Sequence, residues 1–163
     1  MSVAFTKEED SESQAANLPD RPISPHPNLV TATGLAALEA ALTEAHLAYG
    51  AAQAAGGVSS DRTAMARATR DLRYYQARRA SAQLTEPQGP PDRVLFGRTV
   101  TLERADGRSQ TFRIVGEDEA DPARGAISYI SPLARAALGR SVGDMASLAG
   151  EEIEIVGVSS AEG

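Results

Sequence analysis

Two stretches of heptad spacing, separated by a pair of glycines, constrain the fold of this chain more than any other sequence feature. In each stretch the seam residues recur at alternating intervals of three and four, as on a helix that packs along another helix. The seam positions are Leu35, Leu38, Leu42, Ala45, Tyr49 and Ala52, then Met65, Ala68, Leu72, Tyr75, Arg79 and Ala82. Gly56-Gly57 supplies the left-handed backbone that ends a helix and reverses the chain. The pattern predicts an antiparallel coiled-coil hairpin over residues 31–86.

The ends of the two helices follow from local signals. Thr31 and Thr33 are both candidate N-caps for the first helix, which at about 24 residues and about 1.5 Å per residue forms a rod near 35 Å long. The second helix is expected to start near Ser60. Arg79 does not suit a seam position, so either its aliphatic stem covers the open end of the seam or the register changes there.

The N-terminal segment has the composition of a tail rather than a folded unit. Residues 1–30 are polar, and they contain four acids among the first dozen residues and four prolines between positions 19 and 27. We predict a disordered acidic tail with an extended, proline-rich end. The second helix has a basic face, made by Arg62, Arg67, Arg70, Arg73, Arg78 and Arg79. The opposite charges lead to the hypothesis that the tail folds back on this face.

After the Pro/Gly-rich segment 86–91, the hydrophobic period changes from the helical one to two, which is typical of β-strands. Asp106-Gly107 predicts a hairpin turn between strands 99–103 and 110–114. Two further strands are expected over 126–130 and 153–158, with a short helix between them that starts at Ser131-Pro132 and stops at Gly139. The predicted core residues are Val100, Leu102, Phe112 and Ile114. The sequence predicts a compact antiparallel α+β domain over 92–160.

Composition excludes several classes of function. The chain of 163 residues has no cysteine, and His26 and His46 are too far apart to suggest a metal pair. A net charge of −6 does not suit free nucleic acid as the main partner, because duplex binding neutralises many phosphates with Lys and Arg. The partner is therefore expected to be a protein. The chain shows no membrane-spanning run or signal peptide, so we expect a cytoplasmic monomer without membrane contact.

Several separated segments resemble the C-terminal domain of the bacterial Gre transcript-cleavage factors (GreA/GreB). They are Val94-Leu95-Phe96-Gly97, Gly116-Glu117-Asp118-Glu119-Ala120-Asp121, Ser131-Pro132-Leu133-Ala134-Arg135-Ala136-Ala137-Leu138-Gly139 and Val142-Gly143-Asp144, in this order. The resemblance implies an FKBP-like C-terminal domain behind the coiled coil and covers residues 33–158. It also implies an accessory factor that is not itself an enzyme.

The resemblance carries expectations about the binding partner. In the Gre family the C-terminal domain holds the rim of the RNA polymerase secondary channel, and the coiled coil enters that channel. Acidic residues at its tip help to hold the second Mg²⁺ and the attacking water, so that polymerase cuts the 3′ end of backtracked RNA. This protein is then expected to have no cofactor or metal of its own, to share the polymerase Mg²⁺, and to meet nascent RNA only indirectly. The candidate contacts are Tyr129, Ile130, Ser131, Pro132, Arg62, Arg67 and Arg70.

The tip of the hairpin departs from the family pattern. The family tip reads Gly-Asp-Leu-Ser-Glu-Asn, and alignment on Gly56 and Ser59 places Gly57 and Ser60 where the two carboxylates belong. Mg²⁺ prefers hard oxygen ligands, so this loss removes the expected chemistry. Asp61 is the only acid in the turn, either as a substitute tip acid or as a residue that caps the helix, as Ser59 and Ser60 also can.

Three functions follow from these patterns. The first is a Gre-type elongation factor that modulates elongation or the rescue of backtracked complexes, with weak or absent stimulation of cleavage. The alternative is a regulator similar to the Rnk-like relatives, which occupies the channel and competes with cleavage-competent Gre factors. A remote alternative is an FKBP-type peptidyl-prolyl isomerase, for which Phe96, Phe112 and Tyr129 provide few aromatic pocket walls.

Overall fold

A computed structural model of the protein describes residues 18–56 and 62–160, which belong to two compact units. Of the described residues, the helical unit contains 18–27, 36–56 and 62–81. The sheet unit contains 28–35 and 82–160. The first helix therefore begins in the sheet unit and continues in the helical unit.

Two long helices make up most of the helical unit. Helix α1 spans Ala32–Ala54 and helix α2 spans Arg62–Ser81. Their orientation is antiparallel, because Glu39 near the start of α1 pairs with Arg79 near the end of α2, at 3.0 Å. The predicted seam is confirmed by its buried members, which are Leu38, Ala45 and Ala68.

At the open end of the hairpin, the two adjacent arginines of α2 differ in burial. The side chain of Arg79 is 43% exposed and is held at the edge by its ion pair with Glu39. Its neighbour Arg78 is buried instead, with 2% of its surface exposed. Arg79 is therefore not a buried member of the seam, and its half-buried side chain agrees with a stem that covers the open end as well as with a change of register.

Small side chains leave open space between the two helices. A groove of about 280 Å³ runs along the alanines of both helices and is bordered by Glu44, Asp71 and Tyr75. Alanine offers only one methyl group for interhelical packing, so these positions do not fill the interface. The apolar core of the hairpin is correspondingly thin.

Residues 18–27 lie in the helical unit and contact α2, although the composition predicts a disordered tail there. Arg21 forms an ion pair with Asp71 at 3.4 Å, and Asp20 pairs with Arg73 at 3.3 Å. The hypothesis of a tail that folds back on the basic face concerns mainly the acids at positions 8–12, which lie outside the described residues. Within the described part, Asp20 makes the kind of contact that this hypothesis requires.

Seven strands, one short helix and a single 3-10 turn complete the described elements. The strands are β1 Leu29–Val30, β2 Gln83–Leu84, β3 Thr99–Arg104, β4 Ser109–Val115, β5 Ala126–Ser128, β6 Met145–Leu148 and β7 Glu151–Ser159. The 3-10 turn spans Pro122–Arg124, and helix α3 spans Pro132–Ala137.

Five of the strands form one sheet in the order β5-β4-β3-β7-β6. Three of its four strand pairs are antiparallel, but β5 runs parallel to β4. The prediction of a purely antiparallel sheet is therefore wrong for this pair, because the 3-10 turn lets the chain cross over before β5 begins. Strand β6 was not predicted. The predicted turn at Asp106-Gly107 is confirmed, and a hydrogen bond from the Arg108 backbone N–H lowers the pKa of the Asp106 carboxyl.

The core of the sheet unit lies between the sheet and helix α3. The four predicted core residues are confirmed, since each is at most 5% exposed. Alanines of α3 close the core from the other side, and Ala134 and Ala137 are both fully buried. Other fully buried members are Val94, Val115, Ile153 and Ile155.

A second, two-stranded sheet joins the segments that flank the two long helices. Strand β1 runs parallel to β2, with Leu29 opposite Gln83 and Val30 opposite Leu84. The Gln83 N–H donates to the Asn28 carbonyl at 2.8 Å. Residues 28–30, which the composition places in the tail, are therefore part of the sheet unit. Within residues 18–56 and 62–160, no helix combines the length and apolar character that crossing a membrane requires.

Candidate functional site

Most of the predicted hairpin tip lies outside the described residues. Gly56 is described, and its N–H donates to the Gln53 carbonyl at 3.2 Å just after α1 ends. Gly57, Ser59, Ser60 and Asp61 belong to the segment that the structure does not describe. The two interpretations of Asp61 therefore stay predictions.

The predicted contact segment leads from β5 into α3. The Ser131 hydroxyl accepts a hydrogen bond from the Ala134 N–H at 3.3 Å, and Pro132 occupies the first turn, where no N–H is needed. This confirms the Ser-Pro start that the sequence predicts. The helix ends at Ala137, because the C-cap Leu138 leaves the helical conformation with a ψ of 133° and Gly139 follows with a φ of 83°.

Tyr129 and Ile130, which precede this helix cap, are held by a contact with the core and by backbone hydrogen bonds. The Tyr129 ring packs edge-on against Phe96, with centroids 5.8 Å apart, and Phe96 belongs to the core. The Tyr129 N–H donates to the Val115 carbonyl at 2.9 Å, and the Ile130 N–H donates to the Ser128 hydroxyl at 3.3 Å. Tyr129–Pro132 therefore forms a rigid step at the surface, hereafter the surface step.

The structure brings together two of the three predicted arginine contacts. Arg62 and Arg70 line one groove on α2, and Arg73 lines it with them. Arg67 is exposed and does not line this groove. The three predicted arginines therefore do not form a single surface.

Glu119 connects the start of α1 to the sheet, which the sequence did not predict. Its Oε1 accepts from the Thr31 hydroxyl at 2.6 Å, and its Oε2 lies 3.4 Å from the Arg113 guanidinium. The Thr31 hydroxyl also accepts from the Gly34 N–H at 3.0 Å, so Thr31, not Thr33, is the N-cap of α1. A Cβ at Gly34 would lie 2.6 Å from Glu119 Oε1. The sequence indicated Thr31 as a candidate N-cap and Glu119 as part of a family-like segment, but not the contact between them.

Arg98 fixes the end of the Pro/Gly-rich segment, and the sequence did not indicate this either. Its side chain is buried, at 6% exposure, and donates hydrogen bonds to the carbonyls of Pro90, Arg93 and Gly89. The distances are 2.9 Å to Arg93 and 3.2 Å to Gly89. We call this contact the Arg98 clamp. Strand periodicity does not distinguish it, because Arg98 stands one residue before β3 begins.

The described part of the chain offers two candidate binding surfaces. Across residues 18–56 and 62–160, no three His, Asp or Glu side chains are grouped so as to hold a metal ion. The sheet unit instead offers the rigid surface step, and the helical unit offers an arginine-lined groove.

Comparison with known proteins identifies the sheet unit. The family model described as "Transcription elongation factor, GreA/GreB, C-term" matches residues 89–160. This chain has the C-terminal domain of the GreA/GreB family. The match contains the surface step, Arg98 and Glu119, whereas the two long helices lie outside it.

Curated relatives agree with this assignment. A transcription elongation factor GreA from Desulfovibrio desulfuricans is 42% identical over 97 residues, which cover 54% of this chain and 58% of the relative. A GreB from Neisseria meningitidis serogroup A is 44% identical over 95 residues, with 55% and 58% covered. A GreA from Anaeromyxobacter sp. strain K is 61% identical over 54 residues, or 32% of each chain. The chain thus spans little more than half the length of the first two GreA/GreB relatives.

Solved structures of this family are also similar to the chain. The crystal structure of GreA factor homolog 1 (Gfh1) from Thermus thermophilus is 20% identical and covers 82% of this chain and 99% of its own, at a TM-score of 0.38. A GreA/GreB factor from Nitrosomonas europaea is 18% identical and covers 82% and 98%, also at 0.38.

The link from Glu119 to the N-cap of α1 leads to a stability prediction. We expect Glu119→Gln to lower the free energy of unfolding by about 1 to 3 kcal/mol, because a half-buried carboxylate that accepts from Thr31 and faces Arg113 is lost. Thr31→Val should cost a similar amount, and the double variant should cost less than the sum. Urea denaturation measures all three. Glu103→Gln, an exposed acid on β3, is the matched control and should change stability by less than about 0.5 kcal/mol. Additive costs would show that Thr31 and Glu119 act separately.

Proposed function

We propose that this protein is a transcription elongation factor that binds bacterial RNA polymerase through its GreA/GreB domain. The observation that carries the proposal is the family match over residues 89–160, which contains the surface step. The curated relatives with the same domain are named transcription elongation factors GreA and GreB. As in the Gre family, the domain would hold the rim of the secondary channel while the hairpin enters it.

The surface step is suited to contact with a protein surface. Its backbone is fixed by the Ser131 cap and by the Tyr129 hydrogen bond, and its ring contact with Phe96 rests on the core. A preorganised segment loses little conformational entropy when a partner binds it. Ile130 and Pro132 are the members of the step that we expect polymerase to contact.

Cleavage by polymerase would depend on what the hairpin tip brings to the active site. A second Mg²⁺ is held by oxygen ligands, and carboxylates near the scissile phosphate strengthen its binding. Gly57 and Ser60 replace the two carboxylates of the family tip, which leaves Asp61 as the only acid of the turn. We therefore propose that this protein stimulates cleavage weakly or not at all.

The same replacement favours a second candidate function. A hairpin without tip acids that still occupies the channel would act as a regulator of the Rnk-like kind, because it excludes cleavage-competent Gre factors from the same rim. The third candidate, a peptidyl-prolyl isomerase, has less support. Phe96 and Phe112, two of the three aromatic residues that such a pocket would need, lie in the core and cannot serve as pocket walls.

Transcript cleavage in backtracked elongation complexes tests the proposal. The cognate polymerase would be stalled with labelled RNA and mixed with wild-type protein or with Asp61→Ala in the presence of Mg²⁺. We expect polymerase to cleave little RNA in the presence of either protein. The variant Gly57→Asp/Ser60→Glu, which restores both acids, is expected to raise the cleavage rate at least about tenfold, or about 1.4 kcal/mol of activation free energy.

The outcomes separate the candidate functions. Loss of cleavage in Asp61→Ala, but not in the control Glu103→Ala, would make Asp61 the acid that positions the metal. Absence of cleavage, together with competition against a cleavage-competent Gre factor, would assign the regulatory role. The proposal would be contradicted if the protein did not stimulate cleavage even with both acids restored and did not compete with a cleavage-competent Gre factor.

A further inference from the structure

A groove of about 350 Å³ on the surface of α2 carries a concentration of arginine side chains, and we call it the basic groove. Residues from four successive turns of α2 line it, and the chain segment before α1 forms its other wall. The lining residues are Arg62, Met65, Ala66, Thr69, Arg70 and Arg73, with Leu18 and Asp20 from that segment. Apolar side chains and arginines therefore line the same groove.

Among the described residues, the positive charge that lines the basic groove exceeds the negative charge. Three arginines line it, and Asp20 is the only carboxylate among the described lining residues. The Nε of Arg70 is buried and has no hydrogen-bond acceptor within the described ranges. Its nearest carboxylate oxygen belongs to Asp71, at 3.6 Å, and that oxygen also lies 3.4 Å from Arg21. A guanidinium with a buried, unused donor favours an additional acceptor.

The segment beside the groove is anchored at Arg21. The Arg21 guanidinium lies 3.8 Å above the centroid of the Tyr74 ring and 5.2 Å from that of Tyr75. It also pairs with Asp71. Stacking on an aromatic face and a charge pair act here on the same group, so this contact stabilises the position of the segment on α2.

Asp20, one residue earlier, is held much more weakly. Its carboxylate lies 3.3 Å from Arg73, but the two side chains are 64% and 65% exposed. Ion pairs between groups this exposed contribute little, about 0 to 1 kcal/mol. Another carboxylate can therefore replace Asp20 at Arg73 while Arg21 keeps the segment attached.

We propose that the basic groove is a docking surface for an acidic segment of a partner protein, and that Asp20 occupies it as an internal competitor. Asp20 lines the groove and pairs with Arg73, so the groove already holds a carboxylate, and the apolar side chains among its lining residues suit the aliphatic part of a glutamate side chain. The inference goes beyond the proposed function and does not depend on it.

Binding of a fluorescein-labelled polyglutamate peptide to the full-length protein, followed by fluorescence anisotropy at low ionic strength, tests this inference without polymerase. Asp20→Asn is expected to tighten binding about threefold, because the internal competitor loses its charge. Arg73→Gln is expected to weaken binding at least about threefold. Arg67→Gln is the matched control, since it removes the same charge from the same helix outside the groove, and it should change the affinity less than Arg73→Gln does.

Several results would overturn the inference. Equal losses in Arg67→Gln and Arg73→Gln would reduce the effect to the overall charge of the helix. Stronger competition by polyuridylate RNA than by unlabelled polyglutamate would assign the groove to nucleic acid. Tighter binding after deletion of residues 1–17, without any effect of Asp20→Asn, would assign it to the chain's own N-terminus. Circular dichroism of each variant confirms that the helices are retained.

Discussion

Replacing Gly116 with alanine is expected to lower the free energy of unfolding by about 3 kcal/mol, near the upper end of the usual penalty for overpacking. An ideal Cβ at this position would lie 2.3 Å from the carbonyl oxygen of Leu29, closer than real Cβ contacts allow. The obstructing atom belongs to the backbone of β1, which is held in register by β2. A flexible side chain could turn aside, whereas this strand must move as a whole.

Urea denaturation of the variant and of wild type measures this effect. Gly50→Ala is the matched control, because a Cβ there meets nothing within 4 Å and the residue lies inside α1. Alanine favours a helix interior over glycine, so the control is expected to stabilise the protein by about 0.5 to 1 kcal/mol. The same substitution thus has opposite signs at the two positions. A Gly116→Ala protein as stable as wild type would show that β1 can shift without cost.

Loss of the Arg98 clamp is expected to have the second large effect. Arg98→Met keeps much of the apolar stem but removes every donor to the carbonyls of Gly89, Pro90 and Arg93. Hydrogen bonds from charged groups are stronger than neutral ones, and buried carbonyls without donors are costly. We expect the free energy of unfolding to fall by about 3 kcal/mol. Arg98→Lys should recover only part of this, because an ammonium cannot reproduce the planar fork of donors.

Chemical denaturation and hydrogen exchange both report on the clamp. Exchange should accelerate at the Arg93 N–H, which donates to the Pro90 carbonyl at 3.1 Å. Arg93→Met is the matched control, since this side chain is exposed and only its carbonyl takes part in the clamp. It should change stability by less than about 0.5 kcal/mol. If both variants behaved alike, the segment 89–93 would be held by its own turns and not by Arg98.

The helical hairpin could be predicted because its signal is periodic and local. Leu38, Ala45 and Ala68 are buried where heptad spacing places them. The register at the open end could not be predicted, because Arg78 and Arg79 are adjacent residues of one type. Only the position of Glu39 on the other helix decides which of them turns outward.

The direction of β5 and the existence of the short strand β6 could not be predicted from the sequence. The alternation in β3 and β4 identified both strands and their core residues. In contrast, β6 has only four residues, and only one of them, Ala146, is buried. Whether β5 runs parallel or antiparallel to β4 depends on the path of the chain between them, which hydrophobic period does not encode.

The candidate site was predictable where its interactions are local. The Ser131 cap depends on a residue three positions away, so the Ser-Pro pattern was sufficient. The contact between Thr31 and Glu119 joins residues 88 positions apart, and Arg98 acts on carbonyls that any sequence would provide. The acidic segment around Glu119 resembles that of the Gre family. Its structural role follows from the contacts of the Glu119 carboxylate with Thr31 and Arg113, which the sequence does not give.

The pairing of β1 with β2 has a consequence for how this architecture can vary. Strand β1 ends at Val30 just before the long helices and strand β2 begins at Gln83 just after them, and the two strands are hydrogen-bonded neighbours. The two long helices are thus an insertion whose two ends are held together by the β1–β2 pair. The entropic cost of bringing the two ends of an inserted segment together rises by only about 0.6 kcal/mol when its length doubles. Whole turns can therefore be added to or removed from both helices together, so the reach of the hairpin and the stability of the sheet unit can evolve as separate properties.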